Sequence, residues 1–75
     1  MLLQFLQGVL QVKEMTVKRL FKVNKINKNQ EIEIRYSENN ILAFEGYVDE
    51  ILDDATLMYS KVVNYSPITN IIEIA

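Results

Sequence analysis

The run Glu31-Ile32-Glu33-Ile34-Arg35-Tyr36 constrains the fold of this chain more than any other feature. Its strict period of two puts Ile32, Ile34 and Tyr36 on one face and charged side chains on the other, which predicts a strand buried on one side only. Such a strand needs further strands beside it and a second layer over its apolar face. At 75 residues the chain has room for one domain, residues 1–75, with a small core.

Before Asn27 the period is helical. Gln4, Gln7, Gln11, Glu14, Lys18, Lys22 and Lys25 recur at steps of three and four, with Leu2, Leu6, Val9, Leu10, Val17 and Leu20 opposite them. One amphipathic helix from Leu2 to about Asn24 accounts for both stripes. Lys13 and Thr16 interrupt the apolar arc, and threonine is a good N-cap, so a break near residues 13–16 is the competing reading. In a further reading the core is residues 15–75, Met15 is the natural start, and residues 1–14 are an N-terminal extension. Met1 to Val12 is apolar, but it lacks a basic leader, is interrupted by glutamines, and is shorter than the roughly 20 residues of a membrane span. It reads as neither signal peptide nor transmembrane helix.

After the polar loop Asn27–Gln30 and the strand at 31–36, Ser37-Glu38-Asn39-Asn40 supplies turn residues that tolerate left-handed backbone. A second strand is predicted over Ile41–Val48, with Leu42, Phe44 and Val48 on one face and Gly46 marking a bulge or a close approach. Residues 49–54 read as one or two helical turns with Asp49 as the cap. Leu57–Tyr65 and Asn70–Ile74 are the third and fourth strands, joined by Ser66-Pro67-Ile68-Thr69. The predicted class is α+β in the order α-β-β-α-β-β: a four-stranded, mostly antiparallel sheet with an N-terminal amphipathic helix packed on one face.

Composition removes most catalytic chemistry. There is no histidine and no cysteine, hence no imidazole base, no thiol nucleophile, and none of the commonest metal ligands. The absence of cysteine fits a reducing cytoplasm. Gly8 and Gly46 are isolated, so no phosphate-binding loop is present. Ser37, Ser60 and Ser66 lack a base, with Lys61 the one lysine near any of them in sequence. These features predict a non-enzymatic protein with no catalytic residues, no cofactor and no metal site. Asp49/Asp53 and Glu50/Asp54, each four apart, would share a helical face able to hold Mg²⁺ or Ca²⁺, but acidic residues at a helix start are better explained by its dipole. Tyr36, Tyr47, Tyr59 and Tyr65 fit sheet packing better than base stacking.

Charge is distributed unevenly. Residues 1–30 carry six basic residues against one acidic, a net +5; residues 31–75 carry two basic against nine acidic, a net −7. Two binding surfaces follow. The acidic set Glu31, Glu33, Glu45, Asp49, Glu50, Asp53 and Asp54 would meet a basic groove on another protein, standing where nucleic-acid phosphates stand. The basic set Lys18, Arg19, Lys22 and Lys25 would contact nucleic acid. The overall charge of −2 favours the acidic surface. A third reading is structural: the Leu2–Phe21 apolar stripe drives homodimerisation or attachment to a membrane surface.

Met15-Thr16-Val17-Lys18-Arg19-Leu20, the Asn/Lys loop leading to Glu31-Ile32-Glu33-Ile34-Arg35, Gly46-Tyr47-Val48-Asp49-Glu50-Ile51 and the terminal Ile71-Ile72-Glu73-Ile74 together resemble small accessory proteins encoded by phages and prophages of low-GC Gram-positive bacteria. The resemblance covers most of residues 15–75 and carries no active site with it. It implies a mobile-element protein that binds and blocks host machinery, including defence nucleases.

Overall fold

The computed structural model describes residues 15–75. Its elements are α1 (Val17–Val23), β1 (Glu31–Tyr36), β2 (Leu42–Tyr47), a 3₁₀ helix η1 (Val48–Ile51), α2 (Ala55–Met58), β3 (Val62–Ser66) and β4 (Ile71–Ile74). The strands form one sheet in the order β2-β1-β4-β3. Two antiparallel hairpins, β1/β2 and β3/β4, are joined by a parallel β1/β4 pair at the centre. The fold is α+β in the expected element order, and the sheet is mixed.

The central pair makes the core floor. Ile32 and Ile34 of β1 and Ile72 and Ile74 of β4 are all buried, and Ile34 lies opposite Ile72 in the parallel register. Val17, Leu20 and Phe21 of α1 cover them, with Val48, Ile51 and Met58 closing the rest of the same core. Every buried residue of the described chain is apolar. At this size that single cluster supplies most of the driving force for folding.

The helix begins where the break reading places it. Thr16 is extended at φ −95°, ψ 165°, and its Oγ1 accepts the Arg19 N–H at 3.1 Å, so no helix runs continuously through this residue. Tertiary pairing enforces the break: Val62 N–H donates to Met15 O, Val17 N–H donates to Ser60 O, and Thr16 forms an antiparallel bridge with Lys61. The part of the expected helix over residues 2–14, and the proposed extension, lie outside the described residues. At its other end α1 stops in a Schellman motif. Lys25 adopts φ 53° and donates to Lys22 O, while Ile26 donates to Phe21 O and packs against the core.

Both hairpins turn the same way. Asn40 and Asn70 sit at φ 60° and 59°, and each donates its N–H to the carbonyl four residues back, Tyr36 and Ser66. Each hairpin also carries one irregularity. In β1/β2 the register shifts between Ile34 and Arg35, leaving Ala43 as the extra residue; in β3/β4 it shifts at Val63.

Four local expectations change. The bulge at Ala43 moves Leu42 off the face of Phe44 and into register with Arg35, so Leu42 is exposed rather than inward. Tyr36, expected inward, is 39% exposed at the end of β1. The predicted strand over Leu57–Tyr65 starts only at Val62, because Asp54 Oδ1 caps a helix at 55–58 and Met58 turns into the core. Asp49 is not a cap: it lies in the first turn of η1, and its N–H donates to Lys28 O.

Two substitutions test this account. Ile34→Ala should cost about 2–5 kcal/mol, a large share of a small domain's total stability. Lys25→Gly should raise stability by about 1 kcal/mol by removing a side chain from left-handed backbone. Urea denaturation followed by circular dichroism reads both.

Candidate protein-binding surface

With α1, η1 and α2 sharing one core on the inner face, the outer face of the sheet is uncovered by any helix among the described residues. Its composition follows from the alternation of β1 and β4. The register sets Glu45, Glu33, Ile71 and Ser66 in one row and Leu42, Arg35, Glu73 and Asn64 in the next, while Tyr47 faces Glu31 beyond them.

Glu33 and Glu45 are direct cross-strand partners. Glu33 N–H is turned toward β4, donating to Asn70 O at 3.1 Å. The Glu33/Glu45 position is therefore a non-hydrogen-bonded pair, in which facing Cα atoms approach to about 4.5 Å. Like charges so placed are destabilising. Arg35 relieves part of the repulsion: its Nε donates to Glu33 Oε2 and its guanidinium also donates to Asn40 O at 2.9 Å. Glu31 and Glu45 are exposed and make no side-chain hydrogen bond or ion pair with the described residues. Glu31, Glu33 and Glu45 line a shallow depression of about 160 Å³ with Ile32 and Thr69.

The remaining acidic residues are elsewhere. Asp49, Glu50, Asp53 and Asp54 belong to the η1–α2 segment, whose core residues Ile51 and Met58 pack with α1. Two of the four are committed to backbone groups. Glu50 Oε1 accepts Tyr47 N–H at 3.1 Å, and Asp54 Oδ1 accepts Leu57 N–H at 3.1 Å. The expected four-residue helical spacing is not realised, because η1 ends at Ile51 and a turn separates it from α2. Gly46 is a close-approach position: a Cβ there would collide with the Glu50 carboxylate and meet Phe44 Cζ at 3.0 Å. Tyr47 links the two acidic groups, since it faces Glu31 across the hairpin and also lines a 330 Å³ depression with Lys28, Asn29, Asp49 and Glu50.

The basic set divides as well. Lys18 and Lys22 are one helical turn apart on the exposed side of α1, with Arg19 beside them, whereas Lys25 lies past the helix end. Lys18 is held by Tyr59: its Nζ lies 3.2 Å from the hydroxyl and 5.3 Å from the ring centroid. The four tyrosines form no common stacking surface. Tyr65 packs against the core, Tyr59 sits beside α1, and Tyr47 and Tyr36 are at opposite ends of the β1/β2 hairpin. Of the apolar stripe Leu2–Phe21, Val17, Leu20 and Phe21 are spent on the chain's own core; residues 2–14 of it lie outside the described residues.

Sequence reasoning placed Arg35 on the polar side of β1 but passed over Glu73 as part of the same outer face. The signal for Glu73 was available in the alternation Ile72-Glu73-Ile74; that it stands beside Arg35 depends on the parallel pairing. The chain matches no family model, no curated protein and no solved structure. No helix of the described residues is long and apolar enough to cross a membrane.

Removing one charge of the facing pair should help the fold. Glu45→Gln should stabilise the domain by about 0.5 kcal/mol at low salt, with the gain shrinking as salt is added. Denaturation midpoints of the two proteins across a salt series measure it.

Proposed function

We propose that this chain is a non-enzymatic protein that binds a basic surface of another protein through the outer face of its sheet. The observation that carries the reading is the facing pair Glu33/Glu45, with Glu31 beside it, on a face no other described element covers. Carboxylates grouped this way accelerate encounter with a cationic partner and reject anionic ones. Tyr47, Leu42 and the half-buried Ile71 supply apolar area among them.

Size defines how the partner engages. Four strands at about 4.8 Å spacing and about five residues in length present a face of roughly 300 Å², against about 800 Å² per partner in a standard interface. The contact therefore extends past Tyr47 to Asp49, Glu50, Asp53 and Asp54, and the seven acidic residues act as two adjoining groups. The resemblance to phage accessory proteins supports a host nucleic-acid enzyme, such as a defence nuclease, as the partner class, because its substrate groove is basic. A second reading, nucleic-acid binding by α1, is favoured by the alignment of Lys18 and Lys22.

Affinity capture from host lysate, with and without nuclease, tests both. The wild type should retain a basic protein after nuclease treatment, and Glu31→Lys with Glu45→Lys should lose it while Arg19→Glu with Lys22→Glu keeps it. Capture unchanged by the acidic reversals overturns the proposed surface. A nuclease-sensitive complex lost only in the α1 variant transfers the function to the helix.

A further inference from the structure

The molecule carries the complement of its own acidic face. On α1, Val17, Leu20 and Phe21 are buried, which leaves Lys18, Arg19, Lys22 and the 57% exposed Val23 on the outward arc. That arc pairs three cations with one apolar side chain. The outer face of the sheet pairs Glu31, Glu33 and Glu45 with Tyr47, Leu42 and Ile71. A seven-residue helix is about 10 Å long, and the four residues from the Tyr47/Glu31 row to the Leu42/Arg35 row span about 13 Å at about 3.3 Å per residue, so the helix fits within the face. Lys18 enters the match already oriented by Tyr59.

We infer that, in the absence of a partner, the outer face is occupied by α1 of a second copy of this chain. The helix and the acidic face lie on opposite sides of the sheet. No copy can satisfy its own pair, and the contact is head to tail. Face-to-face pairing of two sheets would set carboxylates against carboxylates and is disfavoured. A heterologous contact of this kind leaves one helix and one face free at the ends, so assembly is open-ended unless the rotation closes a ring. The small area makes it weak and strongly salt-dependent. The inference uses the face proposed above for a foreign partner, and it adds a regulatory consequence: partner and second copy compete for it.

Sedimentation equilibrium of the full chain is the test. The average mass should rise with protein concentration at about 10 mM salt and return to the monomer at about 1 M, where the screening length falls from about 30 Å to about 3 Å. Glu31→Lys with Glu45→Lys, and separately Arg19→Glu with Lys22→Glu, should each lower the apparent association constant at least about tenfold. An equimolar mixture of the two variants should recover association, since each then supplies the face the other has lost. A wild type that stays monomeric at low salt, or a mixture without recovery, overturns the inference. If circular dichroism shows a reversal variant to be unfolded, the Gln substitutions at the same positions replace it, with loss of association still required. Monomeric behaviour would leave capture of a basic host protein standing, so the two proposals fail separately.

Discussion

The parallel contact between β1 and β4 is the interaction on which the rest of the domain depends. Each hairpin is local and closes over a short connection, five residues in β1/β2 and four in β3/β4, but a two-stranded hairpin in isolation is at best marginally stable in water. Bringing the hairpins together places Ile32, Ile34, Ile72 and Ile74 side by side and creates a floor wide enough for α1 to cover. The pairing spans the sequence from Glu33 to Ile71, so its loop-closure cost is met only when the core forms with it. Gln30 Nε2 donating to Asn70 Oδ1 at 2.7 Å pins the same two regions just outside the strands. Sheet, helix docking and the outer charged face are consequences of one non-local event.

That arrangement leaves β2 and β3 as edges, and both are blunted by similar means. Each carries a bulge, at Ala43 and Val63, which breaks the straight row of backbone groups another strand would need. Each has a tyrosine amide satisfied by a neighbouring side chain: Tyr47 N–H by Glu50, Tyr65 N–H by Asn64. The pairing of Met15 and Thr16 with the start of β3 occupies part of the second edge. Addition of a foreign strand is thus disfavoured at both sides. Among the described residues, the outer face presents side chains rather than unpaired backbone.

Much of this was legible from residue order because half-buried strands and amphipathic helices write their periods into the sequence. The alternation at 31–36 located β1 and its inward isoleucines, Thr16 carried the cap of the competing two-helix reading, and Asn39-Asn40 and Pro67 marked the two hairpin turns. The failures have physical causes. Leu42 was placed inward because a bulge, which shifts alternation by one residue, leaves no mark in composition. The stretch from Ala55 to Ser60 was taken partly as strand because its single buried anchor, Met58, fits either period, and the Asp54 cap that decides it is a contact rather than a pattern. The four-residue spacing of Asp49/Asp53 and Glu50/Asp54 failed because η1 ends at Ile51 and a turn separates it from α2.

Sequence alone determined the α+β class, the hairpin turns and the presence of carboxylates on the polar side of β1, since each depends on neighbours within a few residues; it offered Thr16 as a cap, and pairing with residues 60–62 decided for it. Only the tertiary structure decided which strands lie side by side. It set Glu33 against Glu45, brought Glu73 beside Arg35, and turned α1 with its lysines away from the acidic face. Those placements depend on register and on which face the core selects. Register and face are fixed when distant segments bury their apolar sides together, not by any run of residues read singly.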